Sequence, residues 1–420
     1  MRRRQLLVSA AALAGGAALL GGLTGCGASS DLVTADVGRA QPEPGRAGDT
    51  VDAVGRFSLD LVARLGANAN LACSPLSVLV ALAMVRNGAA GATAAEMDRA
   101  LHLPALDDLN AGMNLIDQTL AKRAGKRGAG DRKGRVDLDL ANAVWGQRGY
   151  VWELPFLQTL AADYGTGVHP TDFAGDEVAA RKAINDWVAE RTHDKITDIA
   201  SPEVVNASTT LALVNALYAR APWAEPFAAV GDQPFVVGGE QVPVAMIRSA
   251  ASPRYLSAPG WQGARIPLLG AELALTVVRP DRDVGTLLAA LEPAGLARLL
   301  RAQPGGSVDL TLPRFTVSST IDLRPPLTAL GLATSFSDDA EFPGLTTTQR
   351  LKLQAAAHRG YVAVDENGIE AAAATVIAAE PTSGSAGPGH ELVVDRPFLF
   401  VLHDVALALP LLVGVVADPR

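Results

Sequence analysis

The chain is poor in aromatics, at 5%, and holds only two cysteines and six histidines among 420 residues. Cys26 and Cys73 cannot build a disulfide framework, so stability must come from a buried core. The histidines are too scattered to suggest a metal site. Positive charge is not in excess: the formal net charge is −8, which argues against nucleic-acid binding, since phosphate contact needs a basic face. Catalytic signatures are missing as well. There is no GxSxG elbow, no HExxH, no Walker loop and no GxGxxG after a strand, and Ser385 in Gly384-Ser385-Ala386-Gly387 lacks the elbow spacing. The reading therefore assigns no catalytic residue, no metal and no cofactor. A content of 49% hydrophobic and 19% charged residues excludes a disordered chain, a collagen and a coiled coil.

The N-terminus reads as an export signal. Arg2, Arg3 and Arg4 precede a small apolar run, 6–23, that ends in Leu23-Thr24-Gly25-Cys26. The last four residues resemble a bacterial lipobox, cut before Cys26 with lipid on its sulfur. Arg3-Arg4-Gln5-Leu6-Leu7 also resembles a twin-arginine signal. An uncut transmembrane anchor is the alternative, although the run is short and glycine-rich for a span. Residues 26–50 are polar, small and Pro/Gly-rich, so a flexible tether is expected there, with a single domain over 51–420. The expected location is the outer face of the cytoplasmic membrane, or outside the cell if the protein is released, with membrane contact only through the N-terminal lipid. Cys73, alone in an apolar stretch, reads as a small core residue.

Helices dominate the expected first half. Ser74-Pro75 supplies an N-cap and a first-turn proline before an apolar run. Thr93-Ala94-Ala95-Glu96 has the capping-box pattern, and 178–191 carries Ile184, Trp187 and Val188 at helical spacing. The basic, glycine-rich stretch 124–135 reads as a solvated loop. Strands are expected at 210–218, 273–278, 308–312 and 360–364, and at 397–403 and 409–416, whose wholly apolar runs suit burial on both faces. The fold class is mixed α and β around one core.

Residues 361–397 are ambiguous when read alone. A strand and an Asp365-Glu366-Asn367-Gly368 turn lead into four alanines, which favour helix, and Thr375-Val376-Ile377, which favour strand. Residues 382–389 form a Gly/Ser/Pro loop. One reading is a short exposed helix and a surface loop. The other is a segment with two conformations, whose small side chains can slide between existing strands.

Eight stretches then occur in a telling order. They are Asn70-Leu71-Ala72-Cys73-Ser74-Pro75-Leu76-Ser77, Leu140-Ala141-Asn142-Ala143-Val144-Trp145 and Ile184-Asn185-Asp186-Trp187-Val188. Leu213-Val214-Asn215-Ala216-Leu217-Tyr218 follows, trailed by Trp223 and Pro226-Phe227. Last come Leu312-Pro313-Arg314-Phe315, Leu330-Gly331-Leu332, Val364-Asp365-Glu366-Asn367-Gly368-Ile369-Glu370 with its alanines, and Asp395-Arg396-Pro397-Phe398. Over about 54–419 the chain resembles the serpins, the strand-inserting protease inhibitors.

The resemblance implies a multi-sheet fold of about three β-sheets and eight to nine helices, a mobile reactive-centre loop, and a monomer. It implies a suicide inhibitor rather than an enzyme. A serine protease would cut the loop and form an acyl-enzyme, and the loop would then insert as a central strand. The hinge would be Glu366, Gly368, Ile369, Glu370, Ala371, Ala372, Ala373, Ala374 and Thr375. Counting sixteen residues from Glu366 puts the reactive bond at Thr382–Ser383, with Ala379 and Ala386 as alternatives. A small residue before the cut suits an elastase-like or subtilisin-like protease with a small apolar primary pocket. Glu366 and Arg314 match an ion pair at the top of the sheet, near Trp223. Ser74, Ser77, Asn215 and His358 match a polar cluster beneath the point of opening. One departure is Ile369, where the family usually has Thr or Ser and which would have to bury on insertion. A non-inhibitory binding or scaffold protein on the same fold is the alternative function.

Overall fold

The computed structural model of the chain describes residues 32–129, 132–249, 253–291, 295–370 and 389–420. The elements run α1 (Gly48–Leu65), β1 (Leu71–Cys73), α2 (Pro75–Arg86), α3 (Gly91–Ala100), α4 (Leu106–Ala121), β2 (Gly125–Ala129), β3 (Arg132–Gln147), α5 (Leu154–Thr159), β4 (Val168–Thr171), α6 (Glu177–Arg191) and β5 (Leu211–Pro222). There follow β6 (Ala228–Val237), β7 (Glu240–Ser249), β8 (Arg254–Ala258), β9 (Trp261–Pro267), β10 (Leu273–Pro280), α7 (Val284–Ala290), α8 (Gly295–Arg301), β11 (Val308–Pro313) and β12 (Phe315–Asp322). Last come α9 (Arg324–Ala329), β13 (Ala355–Val364), β14 (Gly368–Ile369), β15 (His390–Val393), β16 (Phe398–Asp404) and β17 (Leu409–Val416).

The strands build three sheets, as expected. A seven-stranded sheet has the order β12-β13-β14-β5-β3-β2, with β4 also paired to β3. A six-stranded sheet runs β1-β17-β16-β10-β9-β8, and a four-stranded one β15-β11-β7-β6. β16 and β17 are buried along their whole length, the outcome expected of strands covered on both faces. The helix α2 fills the space beneath the seven-stranded sheet and is buried at nearly every position, from Pro75 to Val85. It starts where Ser74 predicts: the Ser74 Oγ accepts from the Ser77 N–H at 3.2 Å. On the opposite face of that sheet α6 packs Ala180, Ile184 and Val188 over a floor of small residues, including Ala141, Ala143, Ala212, Ala216, Ala355 and Ala357. Among the described residues no helix is long and apolar enough to cross a membrane.

Three expectations are corrected. The expected tether, 26–50, is bound to the body from Val33 onward. Val33 exchanges two backbone hydrogen bonds of 2.9 Å with Val168, and the Ala40 N–H donates to the Ala162 carbonyl at 2.8 Å. Arg39 bonds Asn114 at 2.8 Å and Asp117 at 2.7 Å, and α1 already begins at Gly48. Arg46 adds a pair with Asp108 at 3.0 Å, and composition misleads here because the segment is held by backbone bonds and two arginines rather than by large apolar side chains. The expected loop at 124–135 contains the paired strands β2 and β3. Its glycines allow close packing: a Cβ on Gly134 would lie 2.9 Å from Leu269 and 3.1 Å from Pro222. Its neighbouring arginines are spent on acids, Arg123 on buried Asp404 at 2.6 Å and Arg127 on Glu272 at 2.9 Å. Finally, Thr93 and Glu96 do not cap α3, which starts at Gly91 without a side-chain cap. The Thr93 Oγ1 accepts from the Glu341 N–H at 2.9 Å, and Glu96 accepts from the Thr334 N–H at 2.9 Å, so both side chains tie α3 to a distant loop.

Candidate functional site

The site begins at the 365–368 turn. The Asp365 carboxylate accepts from the N–H of Asn367 at 2.7 Å and of Gly368 at 3.2 Å, which folds the chain back on itself. Three successive carbonyls of the turn are then gripped from one side. The Trp223 indole N–H donates to the Asp365 carbonyl at 2.8 Å. The backbone N–H of Trp223 reaches Asn367 at 2.9 Å, and that of Phe227 reaches Glu366 at 2.8 Å. The expected pair forms, with the Arg314 guanidinium donating to the Glu366 carboxylate. Arg314 is half exposed, so the pair fixes geometry more than it stabilises, at about 0–1 kcal/mol.

Beyond the turn, β14 lies between β13 and the end of β5: Ile369 pairs with Val364 on one side and Ala221 on the other, and Gly368 with Pro222. Glycine is required here, because a Cβ on residue 368 would sit 2.2 Å from the Ala221 carbonyl oxygen. Ile369 is 1% exposed. The burial that the resemblance implies on insertion is already present in this structure: Ile369 is inside the sheet, where an apolar β-branched side chain fits.

Glu370 points to the α6 face. Its Oε1 pairs with Lys195 at 3.0 Å and accepts from the Tyr218 hydroxyl at 3.4 Å, while its Oε2 is buried without a partner. Its backbone is left-handed, with φ of 46°. The Glu370 hydrogen bond and charge push the Lys195 ammonium pKa up. Burial, with the Glu370 charge behind it, raises Tyr218 to about 12. Lys195 and Tyr218 escape sequence reasoning, because nothing local in either segment marks them as partners of residue 370. Ala371, Ala372, Ala373, Ala374, Thr375, the Thr382–Ser383 bond, Ala379, Ala386 and Cys26 lie outside the described residues.

Below β14 the seam closes. β13 and β5 pair directly and in parallel from Ala355↔Ala212 to Gly360↔Leu217. The four residues expected beneath the opening point come together there, all buried. The Ser74 backbone N–H donates to His358 Nε2 at 2.9 Å. A backbone N–H can only donate, so Nε2 is the acceptor and Nδ1 carries the proton, which it gives across the seam to Asn215 Oδ1 at 2.5 Å. The Ser74 hydroxyl donates to the Ser77 hydroxyl at 3.0 Å. Burial lowers the His358 pKa to about 4, so the imidazole is neutral and bridges α2, β13 and β5.

Comparison with known proteins agrees with this architecture. The model of the serpin (serine protease inhibitor) family matches residues 52–419. A pig (Sus scrofa) leukocyte elastase inhibitor is 31% identical over 380 residues, covering 87% of this chain and 98% of the relative. An uncharacterized serpin-like protein of Thermococcus kodakarensis is 29% identical over 376 residues, covering 88% and 86%. The crystal structure of the thermophilic serpin tengpin in its native state superposes with a TM-score of 0.79 at 24% identity, covering 92% of this chain and 97% of that one. The chain belongs to the serpin family.

Proposed function

We propose that this chain is a suicide inhibitor of serine proteases that traps its target by inserting the cut loop into the seam between β5 and β13. The observation that carries the reading is β14. It runs antiparallel to both neighbours, whereas β5 and β13 below it are parallel to each other. A segment continuing from β14 would exchange one parallel ladder for two antiparallel ones, the more stable pairing per residue. Ordering a residue costs about 1–2 kcal/mol of backbone entropy, comparable to one net hydrogen bond of about 0.5–1.5 kcal/mol. Side-chain fit therefore decides the sign. Both registers extend consistently. From Ile369↔Ala221, Ala372 and Ala374 would come opposite Tyr218 and Ala216 on the α6 face, where the floor is lined with alanines. From both Ile369↔Ala221 and Ile369↔Val364, Thr375 would arrive level with Asn215 on one side and His358 on the other. Its hydroxyl can replace the hydrogen bond that those two residues now make directly.

In chemical terms, the protease serine attacks the carbonyl of Thr382, the amine of Ser383 leaves, and an ester joins Thr382 to the enzyme. Insertion then pulls on that ester. A displacement of about 1 Å in the catalytic geometry costs about a hundredfold in rate, enough to strand the acyl-enzyme. The elastase-like choice of target is supported by Thr382 itself and by the elastase-inhibitor relatives; subtilisin-like targets rest on Thr382 alone. Export and lipid on Cys26 belong to the same reading, supported by Leu23-Thr24-Gly25-Cys26, and the monomeric state rests on the family resemblance alone.

Mixing the protein with elastase and with subtilisin tests the function. The expected result is an SDS-stable complex at the summed mass, and a higher melting temperature after loop cleavage. Clean cleavage with neither effect would turn the assignment to a non-inhibitory binding protein on the same fold.

A further inference from the structure

Exposed apolar side chains gather at the end of the seven-stranded sheet remote from the hinge. Six large apolar side chains are exposed among the described residues, and four of them belong to segments that meet there: Leu32, Val37, Val151 and Leu154, the last two 63% and 58% exposed. The meeting is built by backbone. Val33 bridges Val168, and Val168 pairs with Val144 near the end of β3. Trp152 packs over Gly146 beside Val168, since a Cβ on Gly146 would lie 2.1 Å from the Trp152 ring and 3.0 Å from Val168. Ala40 is bonded to Ala162, so the 32–40 strand of chain lies against the segment that follows Val151 and Leu154.

Two lengths orient this pole. Cys26 precedes Leu32 by six residues, so whatever its conformation that stretch reaches at most about 22 Å. The hinge is much farther off. β5 runs from Leu211, opposite Gly146, to Pro222, opposite Gly368, twelve residues at about 3.3 Å each, or about 40 Å. A lipid on Cys26 can hold only the Leu32 end near a bilayer, and that end carries the apolar side chains. Arg148 is exposed three residues before Val151 and, behind the Gln147 hydrogen bond, lies close enough to Asp172 to help hold that carboxyl below its ordinary range, so the case for docking rests on the apolar side chains and not on charge.

We propose that the pole formed by Leu32, Val37, Val151 and Leu154 docks on the surface of the bilayer that holds the Cys26 lipid, so that the reactive loop faces away from the membrane. The inference rests on the lipid-anchored reading. The anchor supplies affinity, and the apolar pole fixes orientation, because a short chain tether by itself leaves the body free to turn.

Hydrogen exchange of the full-length protein as purified from membranes tests this, comparing phosphatidylglycerol–phosphatidylcholine nanodiscs with detergent micelles. Amides of 148–155 and 33–40 should exchange at least about tenfold more slowly on the nanodisc, while those of 125–129 and 366–370 stay unchanged. In the doubly substituted Val151→Ser, Leu154→Ser protein the protection should disappear while the protein stays bound. Absence of protection in the unsubstituted protein, protection that survives the double substitution, or protection that scales with protein concentration (an interface between copies) would each overturn the docking. The mass of the N-terminal peptide reports the lipid separately: an unmodified Cys26 sinks the anchor reading, and an anchored chain without protection sinks the docking alone.

Discussion

Acid should loosen the seam through His358. The residue is fully buried, accepts from the Ser74 N–H through Nε2 and donates from Nδ1 to Asn215. Protonating Nε2 removes the acceptor and sets two N–H donors against each other. Its pKa in the fold is about 4, against about 6.5 for an ordinary histidine. Because the folded value is depressed, the unfolded chain binds the proton first, and stability falls as pH drops from about 6.5 toward 4. At pH 5 the folded residue is about one-tenth protonated and the unfolded one almost fully, a loss of about 2 kcal/mol relative to pH 7.5. His169 and His403, lowered by burial to about 4 and about 3, act in the same direction. The decisive comparison is therefore the unsubstituted protein against His358→Gln. A guanidinium titration of the first unfolding transition, followed by tryptophan fluorescence at pH 7.5, 6 and 5, measures it. The substituted protein should be less stable at pH 7.5 but lose about 2 kcal/mol less on going to pH 5. An identical pH dependence in both proteins would refute the role given to this imidazole.

Other predictions concern single contacts. Arg123→Ala leaves Asp404 buried without its guanidinium and should cost about 3–5 kcal/mol in chemical denaturation. Ile369→Arg forces a charge into a position that is 1% exposed and should turn inhibitor into substrate, read as the loss of SDS-stable complex with cleavage retained. Gly360→Ala would place a Cβ 2.2 Å from the Ala72 carbonyl oxygen, so β13 must shift, and the melting temperature should fall by several degrees. If the register from β14 holds, insertion delivers the cut end to the Leu211 end of β5, beside Gly146, the pole placed at the bilayer. Nanodisc-bound protein should then need more inhibitor per protease inactivated than detergent-solubilised protein, as titration of residual protease activity would show.

Features that depend on one short stretch were legible in the sequence. The Ser74 cap, the 365–368 turn and the doubly covered strands β16 and β17 each announce themselves by local chemistry. The Glu366–Arg314 pair and the Ser74, Ser77, Asn215 and His358 cluster were reached through family resemblance; no periodicity connects residue 74 to 358. What stayed hidden depends on contact between distant segments. Thr93 and Glu96 have the spacing of a cap, yet their partners are Glu341 and Thr334. Residues 33–47 have the composition of a tether, yet backbone bonds, Arg39 and Arg46 fix them. Lys195 became part of the hinge only once α6 lay across the sheet, and Ile369 proved to be inside it already.

The most direct measurement of the central claim is a crystal structure of the protein after proteolysis of its loop. The account predicts a full strand between β5 and β13, antiparallel to both, with the Thr375 hydroxyl within hydrogen-bond distance of His358 or Asn215. A clipped molecule in which Ala355–Gly360 remain paired with Ala212–Leu217 as in the intact chain would contradict it.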